Sequence, residues 1–418
     1  MATWLTPAVK ALRERLPGAK ITVFTPPCTF SSGREVAVVA ALPEVDQTFN
    51  ARQFLSFVFA GRKLPNFEPG RRGIVLFLGG DLAYAALLAR KVDYPAYAYT
   101  EGRVQWVNRF AGFLLPDDDA RIRAIQSGAP PDKLYVVGDL MLDAIQFHWE
   151  QADFQQALRL DGNRTVIALF PGSRPHEFRY MLPMFLRAAE IISRDLRAVQ
   201  FVVSVSPFVT EDFLVDALAH PSSSLEGTGG ELITAGDTED LEEVSLSRVC
   251  HDAALGHIWQ IRTWGGLSLP AVQGWQYDIM GLATLGITIP GSNTAEMAAL
   301  GVPMVVVTPL NKPEEIPLEG IPGLVGSIPL IGRHIKRKAV LTAAGRVQFT
   351  ALPNRKAQAE VVPELKGELR PEDIAISVGD LMRHPERLRV ISGKLKEIMG
   401  PSGAARMIAE TLASVLDS

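Results

Sequence analysis

Residues 165–178 read Thr-Val-Ile-Ala-Leu-Phe-Pro-Gly-Ser-Arg-Pro-His-Glu-Phe. The first six are an unbroken apolar run, the pattern of a strand covered on both faces. Pro171, Gly172 and Ser173 then turn the chain, and the residues from Pro175 onward suit a helix. The free N–H groups of that helix would face an anion lying at the strand's carboxyl end. Arg174 adds a guanidinium able to grip a phosphate with two hydrogen bonds. An ordinary strand–helix turn with a surface arginine fits the same residues.

The same arrangement recurs downstream. Residues 285–289 form a second apolar run, followed by Pro290-Gly-Ser-Asn-Thr-Ala-Glu-Met-Ala-Ala-Leu-Gly-Val-Pro-Met304. Small residues at Gly291, Ser292, Asn293 and Thr294 let a phosphate approach the backbone, and the following helix dipole favours its charge. Glu296 could accept hydrogen bonds from a ribose diol. The alternative is a capped helix, with Ser292 or Thr294 as the cap and Glu296 as the capping-box acid.

Outward from these two stretches the pattern repeats. Apolar runs at 21–24, 74–78, 96–99, 112–115 and 134–137 precede the first stretch; runs at 201–205 and 302–307 follow it. Helical segments separate them, and an opening helix carries Leu5, Ala8, Val9, Leu12 and Leu16 on one face, with Thr6-Pro7 in its first turn. Alternating strands and helices predict an α/β class with parallel sheets. The rhythm pauses between Asp143 and Arg164, predicting an N-terminal Rossmann-like domain over 1–150 and a C-terminal one over 151–418, with ligands at strand carboxyl ends and in the cleft between. Residues 221–230 are Ser/Gly-rich, and 237–243 carry five acids in seven residues, the mark of a solvated excursion.

Composition narrows the function classes. Of 418 residues, 47% are hydrophobic and 21% charged, enough apolar surface to exclude a disordered chain. A formal net charge of -4 gives no basic footprint for nucleic acid. Cys28 and Cys250 cannot make a disulfide framework, and a reducing compartment follows. No run of about 18 uncharged apolar residues would span a membrane, and no secretory signal is visible. The expected location is the cytoplasm, with peripheral contact at the inner face of the cytoplasmic membrane left open. His176, His251, His257 and His334 lack metal-ligand spacing, so no metal and no cofactor is expected.

Taken together, the two turns resemble nucleotide-sugar glycosyltransferases of the GT-B type, and more closely the lipid-A-disaccharide synthase family. Pro171-Gly172-Ser173-Arg174 matches the family's P-G-S-R turn. Ser292-Asn293-Thr294-Ala295 and Gly301-Val302-Pro303-Met304-Val305-Val306 are similar to its S-G-T-A turn and G-x-P-M-V-V strand. Leu352-Pro353-Asn354 and Val362-Pro363-Glu364-Leu365 resemble its L-P-N and V-P-E-L stretches, and Val137-Gly138-Asp139-Leu140-Met141-Leu142-Asp143 its V-G-H-P-x-x-D segment. The chain departs from the family where Ala298 replaces its usual glutamate, with Glu296 two positions earlier. It departs again at Asp139, where the family has histidine, and near Lys366-Gly367, where a glutamine is expected.

The resemblance implies two doubly wound domains, the last helices packing back on the first. It implies an inverting transfer of an acylated glucosamine-type sugar from a UDP-sugar to a lipid-linked acceptor. A UDP-N-acetylglucosamine 2-epimerase-like enzyme and a non-catalytic nucleotide-sugar-binding protein are the alternatives. Gly172, Ser173, Arg174, Ser292, Asn293, Thr294 and Glu296 would hold the donor. Asp81, after Gly79-Gly80, sits in a context similar to a family aspartate and could take a proton from the acceptor hydroxyl; it also suits the N-cap of a helix. Phe49, Phe54, Phe57 and Phe59, between Arg52 and Arg62-Lys63, could touch lipid or pack a core. A GT-B domain opens with a strand and a Gly-rich loop. Here the expectation divides between an absent first strand and a sheet that begins at Ile21.

Overall fold

The computed structural model describes residues 2–27, 35–221, 226–233, 256–311 and 348–417. Cys28, Cys250, His251, His334 and the acidic stretch 237–243 lie outside the described residues. The chain divides into two compact units, one of Met1–Gln146 with Gly400–Ser418 and one of Phe147–Met399.

In the first unit, β3 (Val75–Phe77), β4 (Ala96–Tyr99), β5 (Gly112–Leu115) and β6 (Leu134–Val136) form a parallel sheet in that order. Every residue of β4 and β5 is buried, as continuous apolar runs require. A separate parallel pair joins β1 (Thr22–Phe24) to β2 (Gln47–Phe49). Helix α1 (Ala2–Arg15) serves both sheets: Ala8 packs with Tyr99 and Leu114, while Leu5 and Val9 pack near Val23. It starts earlier than Thr6-Pro7 suggests and carries Pro7 inside it. Proline removes one backbone donor there, and burial of Leu5, Ala8 and Val9 offsets that loss.

Four short helices follow in this unit: α2 (Glu35–Ala40), α3 (Ala51–Val58), α4 (Leu82–Val92) and α5 (Asp118–Gln126). The motif at 137–143 builds a joint with the chain's last helix. Asp139 accepts a hydrogen bond from Met141 N and caps α6 (Leu140–Asp143). Asp143 accepts from Gly403 N and Ala405 N, both at 2.6 Å, satisfying amides at the start of the last helix, Ala404–Asp417. Ala405, Ile408 and Leu412 of that helix complete the core around Tyr99 and Leu114.

The second unit opens with α7 (Gln151–Ala157), tethered where buried Asp278 accepts from His148 N and Trp149 N at 2.9 and 3.0 Å. Its sheet contains β7 (Thr165–Phe170), β8 (Val199–Val205), β9 (Gly230–Ile233), β10 (His257–Thr263), β11 (Ser268–Gln273), β12 (Leu285–Thr288), β13 (Met304–Pro309) and β14 (Glu364–Gly367). The order is β14-β13-β12-β7-β8-β11-β10-β9. The strands from β14 through β11 are parallel; β10 and β9 are antiparallel to their neighbours. Helices α8 (Pro175–Asp195), α9 (Glu211–Ala219), α10 (Gln276–Leu282), α11 (Ser292–Leu300), α12 (Leu352–Ala357), α13 (Pro371–Arg383) and α14 (Pro385–Met399) cover it, so the last helix of the chain is α15.

Candidate functional site

Strand order locates the site in the second unit. From β7 the chain moves one way to β8, then returns to place β12 on the other side of β7 and continues outward to β13 and β14. Adjacent strands β7 and β12 therefore lead into loops that diverge, a switch point where doubly wound sheets bind ligands. Both Gly-containing turns singled out in the sequence lie there, since Phe170 pairs with Thr288 across the two strands.

Gly172 makes the close approach possible. Its φ is 127°, and a Cβ there would stand 2.8 Å from Glu177 Cβ and 3.0 Å from Ile289 Cδ1. The first turn thus packs directly against the end of the strand that feeds the second. Ser173 is exposed, and its carbonyl accepts a hydrogen bond from Ser206 Oγ at 2.5 Å. Arg174 occupies the N-cap of α8. Its backbone N donates to Glu177 Oε2 at 3.2 Å, and its guanidinium stands 3.6 Å from Glu177 Oε1 with the side chain 54% exposed. The cation is tethered but open to solvent.

In the second turn, Gly291 caps α11 without a side-chain bond, so neither Ser292 nor Thr294 serves as the N-cap. Ser292 is exposed and Asn293 half-buried at the open end of the helix. Buried Thr294 donates through Oγ1 to Gly291 O at 2.8 Å and accepts from Leu352 N at 3.2 Å. Its side chain ties α11 to the loop at 350–352 and its backbone N donates to Gly291 O at 3.1 Å, so Ser292 and Asn293 carry the amides at the helix's open end. Glu296 is only 3% exposed. It hydrogen-bonds Tyr277, its Oε2 has no partner, and burial pushes its carboxyl up to about 7. It neither completes a capping box nor stands at the helix's open end.

The two stretches at 352–354 and 362–365 carry a lock that their sequence alone did not reveal. Asn354 is fully buried; its amide donates to Val362 O and Glu364 Oε1, both at 2.8 Å, and accepts from Val361 N and Val362 N. Glu364 also accepts from Thr350 N, Thr350 Oγ1 and Ala351 N. Together they fix the loop that Thr294 holds beside the α11 turn. The signal was the pairing of an amide with a carboxylate beside buried Pro353 and half-buried Pro363, which spacing alone does not distinguish from a surface turn.

Asp81 lies in the first unit. It is exposed and caps α4, accepting from Ala83 N at 2.9 Å. Phe49 and Phe54 are core residues, whereas Leu55 and Phe59 are 38% and 62% exposed beside Arg62 and Lys63, which are also exposed. Among the described residues no group of three His, Cys, Asp or Glu side chains could hold a metal. No helix among them is long and apolar enough to cross a membrane.

The fold is shared with solved proteins. A UDP-GlcNAc 2-epimerase from Neisseria meningitidis bound to UDP-GlcNAc superposes with a TM-score of 0.52 at 14% identity, covering 99% of this chain and 96% of that one. Another UDP-N-acetylglucosamine 2-epimerase gives 0.55 at 13%, covering 99% and 93%. At such identities the likeness shows the architecture alone: two doubly wound Rossmann-like units of the GT-B type. Sequence narrows the class further. The family model for lipid-A-disaccharide synthetase matches residues 132–227. The lipid-A-disaccharide synthase of Syntrophus aciditrophicus is 24% identical over 328 residues, 76% of this chain and 66% of that protein. That of Neisseria meningitidis serogroup B is 22% identical over 409 residues, 92% and 86% of the two chains. The sequence likeness is therefore to lipid-A-disaccharide synthases, and the chain spans 66% of the length of the first of these relatives.

Proposed function

We propose that the protein is an inverting hexosyltransferase that moves an acylated glucosamine-type sugar from a UDP-sugar to a lipid-linked acceptor. The observation that carries this reading is the meeting of the Gly172–Arg174 turn and the α11 turn at the switch point of the second unit. There Arg174 and the amides of Ser292 and Asn293 would neutralise the departing diphosphate, the task that preorganised donors perform best in a fixed site; the Thr294 amide is taken by Gly291 O, and its side chain holds the turn. The sequence relatives favour transfer over epimerisation, because the epimerase likeness is one of fold.

In the reaction the acceptor oxygen bonds to the anomeric carbon as the bond from that carbon to the diphosphate oxygen breaks. UDP leaves with the bonding electron pair, the acceptor proton passes to a base, and the configuration inverts. Asp81 is our candidate base, on the acceptor side of the reaction. Exposed Leu55 and Phe59 beside Arg62 and Lys63 suit peripheral contact with a membrane surface carrying that acceptor.

Release of UDP from a UDP-acylglucosamine, with and without a lipid-linked sugar acceptor, tests the activity. Acceptor-dependent release supports transfer; acceptor-independent conversion of the sugar supports the epimerase, and no conversion supports a binding protein. Asp81→Asn separates base from cap in the same assay. Loss of turnover by roughly 10²–10⁴-fold, with UDP affinity unchanged, marks general-base catalysis. Since Asn caps a helix nearly as well as Asp, near-normal turnover removes Asp81 from the mechanism.

A further inference from the structure

We propose that Phe208 is the platform on which the donor's nucleobase stacks. The inference rests on the UDP-sugar reading of the switch-point site and adds a specificity-determining residue to it. Phe208 follows β8, the strand next to β7 on the side away from β12. Its loop therefore lies at the carboxyl ends of the same strands, about two strand spacings, or roughly 10 Å, from the α11 turn. A nucleoside diphosphate with its phosphates on Arg174 and the α11 amides would extend its base along this row of strand ends.

A single exposed aromatic is ordinary on a protein surface. Phe208 differs in how firmly its backbone is held while its ring stays open. Ser206 Oγ donates to the Ser173 carbonyl of the phosphate-facing turn at 2.5 Å and accepts from Phe208 N at 3.3 Å. The Gln273 side-chain amide donates to Ser206 O and Val209 O, both at 2.8 Å, binding the loop to the neighbouring β11. Val209, next in sequence, is 2% exposed and anchors the loop in the core. Between these fastenings the Phe208 side chain is 56% exposed. A rigid loop hydrogen-bonded to the diphosphate turn and displaying an open aromatic face has the features base stacking uses, and little conformational entropy remains to be lost on binding.

Calorimetric titration of the full chain with UDP, and with inorganic pyrophosphate as a baseless competitor, tests this. Phe208→Ala is expected to weaken UDP roughly five- to hundredfold, the range for loss of an aromatic under a base. Pyrophosphate competition should stay unchanged, and Phe208→Tyr should keep UDP affinity within about threefold because the stacking face is retained. If the wild-type chain binds UDP and Phe208→Ala binds it equally well, the platform is refuted while the donor site stands. Equal weakening of UDP and pyrophosphate would show a loop defect and likewise refute it. A wild-type chain with no UDP affinity would overturn the donor reading itself, and the platform with it.

Discussion

Arg174 shares its guanidinium with Glu177 at 3.6 Å, an exposed contact of little energetic weight. A diphosphate offers two charge-assisted acceptors in its place, so the side chain can leave its tether at small cost. Arg174→Ala should weaken UDP binding by about 1.5–3 kcal/mol, the range for a hydrogen bond to a charged group; unchanged affinity in calorimetry with the fold intact would remove the residue from the site. Glu296 bears on stability instead. Burial raises its pKa to about 7, above the ordinary carboxyl value of 4.5. The folded chain therefore holds a proton that the unfolded chain releases. The contribution is fully present below pH 4.5, declines as pH rises, and is lost through pH 7, amounting to about 3 kcal/mol. Unfolding free energies at pH 5 and pH 8 should show the wild-type chain losing stability over that window relative to Glu296→Gln. Parallel profiles would contradict a carboxyl held neutral by burial. At this scale the sequence was partly legible. It marked the turns and their small residues but not where Glu296 and Thr294 point, because a helical position fixes a direction only once its neighbours are placed.

Elements explain why the turns meet. Strands read as apolar runs, such as β4, β5 and β7, lie in the interior of parallel sheets, where both faces need covering. The hairpin of β10 and β11 was not foreseen. Its first strand mixes exposed and half-buried positions, and its partner contains Pro270, which favours no strand by propensity. β14 was missed for a similar reason: Glu364-Leu-Lys-Gly367 has little apolar character, and the Asn354 lock rather than periodicity positions it. Gly172 joins the elements at the switch point. Gly172→Ala would combine a strained φ of 127° with contacts of 2.8 and 3.0 Å to Glu177 and Ile289. Denaturant midpoints should report a loss of about 1–3 kcal/mol, with weaker UDP binding alongside. Full stability with full UDP affinity would show that the two turns do not depend on this contact.

For the whole molecule, the α/β class followed from strands alternating with helices, and the likeness to lipid-A-disaccharide synthases was carried by short motifs spread across both units. Those motifs now have structural meanings that spacing could not supply. Asp143 secures the amides that begin α15, 260 residues along the chain, and Asn354 with Glu364 fixes the loop beside α11. The central claim is that the donor diphosphate lies across the β7–β12 switch point. A crystal structure of the protein soaked with UDP tests it most directly. Phosphate oxygens within hydrogen-bond reach of the Ser292 and Asn293 amides, with Arg174 turned from Glu177 toward them, is the expected result. UDP bound instead within residues 1–146, with the β7–β12 crevice empty, would contradict it.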